Sequence, residues 1–104
     1  MASSQRSAGP VNPIFPGGAP ALQRFVDQTR RPLSVATSGT VFVEFVVNAD
    51  GSVGNCIVRK GINTEADLEA VRIVASMPAW TPGTVDGEPA RYKFILPIDF
   101  TAGI

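Results

Sequence analysis

The sequence contains no His and a single Cys, Cys56. Those two facts remove most of the chemistry a small domain could carry: a Ser/His/Asp triad or a Cys–His pair lacks its base, and a zinc site lacks its ligands. Cys56 has no second Cys for an internal disulfide, and its place in an alternating apolar run reads as a small core residue rather than a reactive thiol. Carboxylates remain. Asp50 and Asp86 each precede a Gly and read as turn residues. Glu65, Asp67 and Glu69 cluster, but at the start of an expected helix, where acids complement the helix dipole. Gly17-Gly18 ahead of a helix is a weak phosphate-binding pattern, because no strand precedes it and no Lys or Ser/Thr follows as in a P-loop. Nucleophile, acid and base are gathered nowhere, so the expectation is a protein that is not an enzyme and holds neither metal nor other cofactor.

The chemistry left is that of the backbone. In residues 91–100, Tyr92, Phe94, Leu96, Ile98 and Phe100 alternate with Arg91, Lys93, Ile95, Pro97 and Asp99, the strongest period-two signal in the chain. Pro97 has no N–H for a ladder and belongs on an edge strand with its nitrogen turned outward. An open edge is a liability unless it is blunted or used. Arg91 and Lys93, at outward-alternating positions, fit both readings: charges that prevent aggregation, or partners for the acidic side chains of an extended peptide added as a further strand. In the second reading Arg91, Lys93 and Ile95 present backbone groups to the peptide, and pairing fades at Pro97. The same edge can also pair two copies of the chain into a homodimer.

The elements that must position this edge are readable too. Residues 40–60 form a hairpin turning at Asp50-Gly51, expected as a two-residue type I′ turn between Ala49 and Ser52. That register opposes Phe45 to Cys56, Val43 to Val58, Phe42 to Arg59, Glu44 to Ile57 and Val46 to Asn55. Val41, Val43, Phe45 and Val47 then share a buried face with Cys56 and Val58, and the other face is a mixed surface open to water or a partner. Pro20 opens a helix over 20–30 with Leu22, Phe25 and Val26 inward, ended by Pro32. A second helix runs over 64–76, with a capping-box-like Thr64 and Asp67, an expected buried stripe of Leu68, Val71, Val74 and Ala75, and Glu65, Glu69 and Arg72 outside. Residues 77–89 read as loop, with Trp80 as an anchor. The second helix is a crossover that returns the last strand parallel to the second, with the first between them. The expected fold is α+β, a two-layer α-β-β-α-β sandwich whose three-stranded antiparallel sheet, ordered second-first-third, is covered on one face by two helices.

At 104 residues the chain fits one domain, residues 13–104, after a flexible tail over 1–12. Nine basic and nine acidic residues leave zero net charge, and so no electrostatic footprint for nucleic acid or an anionic membrane. No apolar run reaches the roughly 18 residues of a membrane span, and the first residues lack a signal-peptide core.

The order of motifs resembles the C-terminal domain of TonB in its Bacteroidetes-type form. It is carried by Phe15-Pro16-Gly17-Gly18 with Ala21-Leu22 and Phe25, Gly39-Thr40-Val41 with Phe45-Val46-Val47, and Asp50-Gly51-Ser52-Val53. Asp67 with Glu69-Ala70-Val71-Arg72, Met77-Pro78-Ala79-Trp80-Thr81-Pro82-Gly83, Gly87-Glu88-Pro89 and Phe94-Ile95-Leu96-Pro97-Ile98-Asp99-Phe100 complete it. Two positions depart from the family pattern: Arg31 where a Tyr usually precedes Pro32, and Ala66 where a larger apolar residue usually stands. The resemblance implies a periplasmic domain that binds the Ton box, an extended N-terminal peptide of outer-membrane transporters, by pairing with its last strand. The receptor-contacting residues are then Arg91, Tyr92, Lys93, Phe94, Ile95 and Leu96. It further implies a full-length protein anchored in the inner membrane and driven there by a motor complex, through a transmembrane segment that this chain does not contain. A TonB-like interaction or sensor module detached from transport is the alternative.

Overall fold

The computed structural model describes residues 10–34 and 36–101. In chain order the elements are β1 (Pro10–Val11), α1 (Gly18–Thr29), β2 (Gly39–Val47), β3 (Val53–Lys60), α2 (Thr64–Ala75), β4 (Gly83–Val85), β5 (Glu88–Ala90) and β6 (Tyr92–Phe100). The fold is α+β, with two helices and two antiparallel three-stranded sheets, β3-β2-β6 and β1-β4-β5. The order and directions of the larger sheet are those expected. The smaller sheet was not expected. It arises because Asp86 and Gly87, at φ 53° and 81°, make a two-residue turn with Val85 opposite Glu88 inside the stretch read as loop. Of the tail expected over 1–12, residues 1–9 lie outside the described residues, and Pro10–Val11 pair with β4.

The hairpin turn differs from expectation in a way that its hydrogen bonds explain. Asn48 N–H donates to the Ser52 carbonyl and Gly51 N–H to the Asn48 carbonyl, both at 2.8 Å, so the loop has three residues, with Gly51 at φ 90°. Asp50 does not take a left-handed conformation. Its Oδ1 accepts from Ser52 N–H at 2.9 Å and Ser52 Oγ at 2.6 Å, a local pairing that favours a type I turn followed by a left-handed glycine. The longer loop shifts the pairs beside it to Val47↔Val53 and Val46↔Gly54. A bulge at Asn55, at φ 53°, then restores Glu44↔Ile57 and Val43↔Val58. A second irregularity puts Lys60, not Arg59, opposite Phe42.

Val41, Val43, Phe45 and Val47 are fully buried, and Cys56 and Val58 pack half-buried against them, as the alternation requires. The buried face of α2 agrees with the expected one only at Val74. Ala66, Ala70, Ile73 and Val74 are fully buried, followed by Met77, whereas Leu68 is 66% exposed and Ala75 lies at the surface. The small side chains of Ala66 and Ala70 give α2 a flush face toward the sheet. Glu69, expected outside, is buried as well. It is bound by Arg72 (Nε to Oε1 2.8 Å, Nη2 to Oε2 2.7 Å) and by the backbone N–H of Arg31 at 2.7 Å, while Arg72 Nη2 also donates to the Thr29 carbonyl at 2.6 Å. This network ties α2 to the end of α1. The cap of α2 is Asn63, which accepts from Ala66 N–H at 2.8 Å, and Asp67 accepts from Ile62 N–H at 2.9 Å, so the expected Thr64 box does not form.

Candidate functional site

β6 pairs with β2 through nine consecutive residues, from Gly39↔Phe100 to Val47↔Tyr92, without a break. Among the described residues its other edge has no strand partner. Pro97 sits opposite Phe42 inside this unbroken ladder, which a residue lacking N–H can do when its nitrogen faces away from β2. By the two-residue alternation of an antiparallel strand, the N–H and C=O of Lys93 and Ile95 face the same way. The carbonyl of Asp99, of the same parity, accepts from Arg30 Nη1 at 3.1 Å. The far end of the edge is therefore closed twice, by a missing donor at Pro97 and an occupied acceptor at Asp99.

Five of the six residues singled out from sequence divide between the two faces of β6. Tyr92, Phe94 and Leu96 are half-buried on the core side. Tyr92 Oη donates to the Thr84 carbonyl at 3.1 Å, and the Phe94 ring stacks on Trp80 with centroids 5.6 Å apart. Lys93 and Ile95 project from the opposite face, Lys93 Nζ lying 3.9 Å from Glu44 Oε2. Arg91 is exposed in the joint between β5 and β6 rather than in the strand.

β3, the other outer strand of this sheet, is a poorer template. Its two register shifts and the positive φ of Asn55 interrupt the regular spacing of backbone groups that an added strand needs. From sequence, Glu44 and Arg59 belong to a mixed face open to water or a partner, with no pairing between them expected. Glu44, a lone acid in the middle of an apolar strand, was the available signal.

Two carboxylates are held in their ionised form by hydrogen bonds. Arg72, through its hydrogen bonds, holds the Glu69 carboxyl below the usual carboxylate range, and Ser52 does the same for Asp50. An open groove of about 320 Å³ beside α2, lined by Arg31, Leu33, Glu65, Leu68, Glu69 and Arg72 among others, has both of its acids hydrogen-bonded: Glu65 accepts from Ser34, and Glu69 from Arg72 and the Arg31 N–H. Burial pushes the Cys56 thiol up, which disfavours the thiolate. No group of three or more metal-ligating side chains occurs among the described residues, and no helix among them is long and apolar enough to cross a membrane.

Comparison with family models matches residues 33–102 to the Gram-negative bacterial TonB protein C-terminal family. The chain belongs to this family. The match runs from the linker after α1 through the end of β6, so it contains the whole larger sheet and α2. No curated protein and no solved structure matches the chain. TonB C-terminal domains are non-enzymatic parts of an energy transducer, typically periplasmic, and generally bind TonB-dependent outer-membrane transporters. A role in TonB-type energy transduction follows for this chain.

Proposed function

We propose that this TonB C-terminal domain binds the N-terminal Ton box of an outer-membrane transporter in the periplasm by adding it as a fourth strand along β6. The observation that carries this reading is the asymmetry of β6: nine ladder pairs on one side, and on the other an edge that no strand among the described residues pairs with, closed at its far end by Pro97 and by Arg30 on the Asp99 carbonyl. Main-chain hydrogen bonds supply affinity in such a complex, and side-chain neighbours supply selectivity. Alternate side chains of the peptide would lie beside Tyr92, Phe94 and Leu96, whose half-burial leaves apolar surface to cover, and the others beside Lys93 and Ile95. Arg91 and Lys93 favour acidic residues in the peptide.

The test is an NMR titration of the labelled domain with peptides from the N-termini of outer-membrane transporters of the same organism. Amide shifts concentrated at 91–96, with new cross-strand contacts, are expected. A folded domain that gives no response would turn the reading toward an interaction module detached from transport.

A further inference from the structure

The open face of the β3-β2-β6 sheet has an unusual centre. Glu44, midway along β2, has a side chain only 12% exposed and lies 3.5 Å from Arg59 Nε as well as 3.9 Å from Lys93 Nζ. Two cations from the two outer strands thus converge on one carboxylate of the central strand. On either side of Glu44 in the register stand Ile57 and Ile95, 48% and 55% exposed, and two residues further along β2 Phe42 lies beside Pro97.

Scattered exposed apolar residues need no explanation, but this group forms a row across three strands and runs directly into the β6 edge. Its charge limits what can cover it. Glu44 is already engaged twice, while the Arg59 and Lys93 side chains are 56% and 67% exposed, so the charge presented outward is positive. A second copy in a two-fold arrangement would set like charges against each other. A polypeptide carrying carboxylates between apolar side chains satisfies both features. A strand added to β6 would widen this face by one strand, and the chain leaving that strand would start within reach of Ile95 and Lys93.

We propose that the open face is a second contact surface for the transporter: an acidic, apolar segment flanking the strand-adding peptide folds across it, with apolar side chains on Ile95, Ile57 and Phe42 and carboxylates against Lys93 and Arg59. The proposal rests on the strand-addition reading, since Lys93 and Ile95 serve both surfaces. Tethering by the added strand raises the local concentration of the segment, so a modest contact suffices.

The experiment compares two synthetic probes from the same transporter by calorimetry, one limited to the Ton box and one extended through its flanking residues. The double variant Ile57→Thr, Arg59→Gln changes only β3 and keeps residues suited to an exposed strand; a second variant, Ile57→Ser, guards against a folding defect in the first. Expected is an affinity for the short probe within about twofold of wild type, and a loss of about tenfold for the long one that shrinks at high salt. Equal binding of the long probe by wild type and both variants overturns the proposal. So does a wild-type dimer in sedimentation that the double variant dissolves, which would assign the face to a second copy. Loss of short-probe binding in an Ile95→Pro variant bears on strand addition alone. A short probe that never binds, with the long one still sensitive to the β3 changes, removes strand addition and leaves the face standing.

Discussion

The backbone N–H of Trp80 donates to the carbonyl of Gly51 at 2.8 Å, joining the tip of the β2–β3 hairpin to the segment that follows α2. Trp80 also stacks on Phe94 of β6 and meets Phe15 edge-on at 5.5 Å. One contact therefore registers the hairpin against the strand that carries the candidate edge. Gly51 has φ 90°, and a Cβ there would run into the Trp80 carbonyl. Gly51→Ala is expected to destabilise the domain by about 2–4 kcal/mol, from backbone strain and the displaced hydrogen bond. Urea denaturation measures this, and a loss below about 0.5 kcal/mol would show that the turn adapts freely.

Strand addition depends on backbone donors at the edge, so removing one should separate binding from folding. Ile95→Pro takes away an outward N–H without touching the β2 ladder. We expect a folded domain, checked by circular dichroism, that no longer binds Ton box peptides. Unchanged binding by the folded variant would exclude the β6 edge as the site.

Charge at the edge should tune affinity rather than create it. Arg91→Glu is expected to weaken acidic peptides several-fold at low salt, with the difference shrinking as ionic strength rises. A salt-independent loss would point to a structural effect at the β5–β6 joint. Calorimetry at two salt concentrations distinguishes these outcomes.

The Glu69 network predicts an acid-sensitive stability. Its hydrogen bonds from Arg72, aided by Arg31, lower the Glu69 pKa in the folded protein relative to the unfolded chain. A lowered folded-state value gives stability that is complete above the unfolded carboxyl's value, roughly pH 4 to 5, and is lost as pH falls through the folded one. Glu69→Gln should cost about 1–3 kcal/mol at pH 7, and should flatten the fall in stability between neutral and acidic pH. The side chain of Arg72 is 31% exposed, which keeps the effect toward the low end of that range. Denaturation curves at pH 7 and near pH 3 provide the check; an unaltered slope in the variant would place the acid sensitivity elsewhere, with Asp50, also lowered by Ser52, as the next group to replace.

The rotation of α2 is testable by a pair of substitutions with opposite outcomes. Leu68, 66% exposed, should accept Ser within about 0.5 kcal/mol, whereas Ala70→Leu overpacks a fully buried site and should cost about 1–3 kcal/mol or more. Thermal melts of the two variants suffice. A costly Leu68→Ser beside a harmless Ala70→Leu would restore the face expected from hydropathy.

Much of the fold was legible because local patterns are strict where one face is buried. The alternation in β2 and β6 allows only one assignment of inside and outside, and Pro97 names its strand as an edge wherever that strand sits. The order β3-β2-β6 followed from the short hairpin loop and the crossover length. Residues 92–96 were therefore placed on the β6 strand by sequence alone, while Arg91, expected in that strand, lies in the joint before it, and the family likeness rested on motifs printed along the chain.

What the sequence left open was decided by contacts between distant segments. Two stripes at helical spacing were available on α2, and hydropathy favoured the one through Leu68. The fold chose Ala66, Ala70, Ile73 and Val74, because small side chains bring the helix onto the sheet and because Arg72 and Arg31 neutralise the Glu69 that this choice buries. The three-residue turn at Asp50 rests partly on Trp80, which lies far along the chain. The convergence of Arg59 and Lys93 on Glu44 exists only once three strands lie side by side, and so does the closure of the β6 edge by Arg30. Period and propensity act over a few residues and can be read locally; which charge meets which, and which of two faces a helix buries, depend on the partner across the gap.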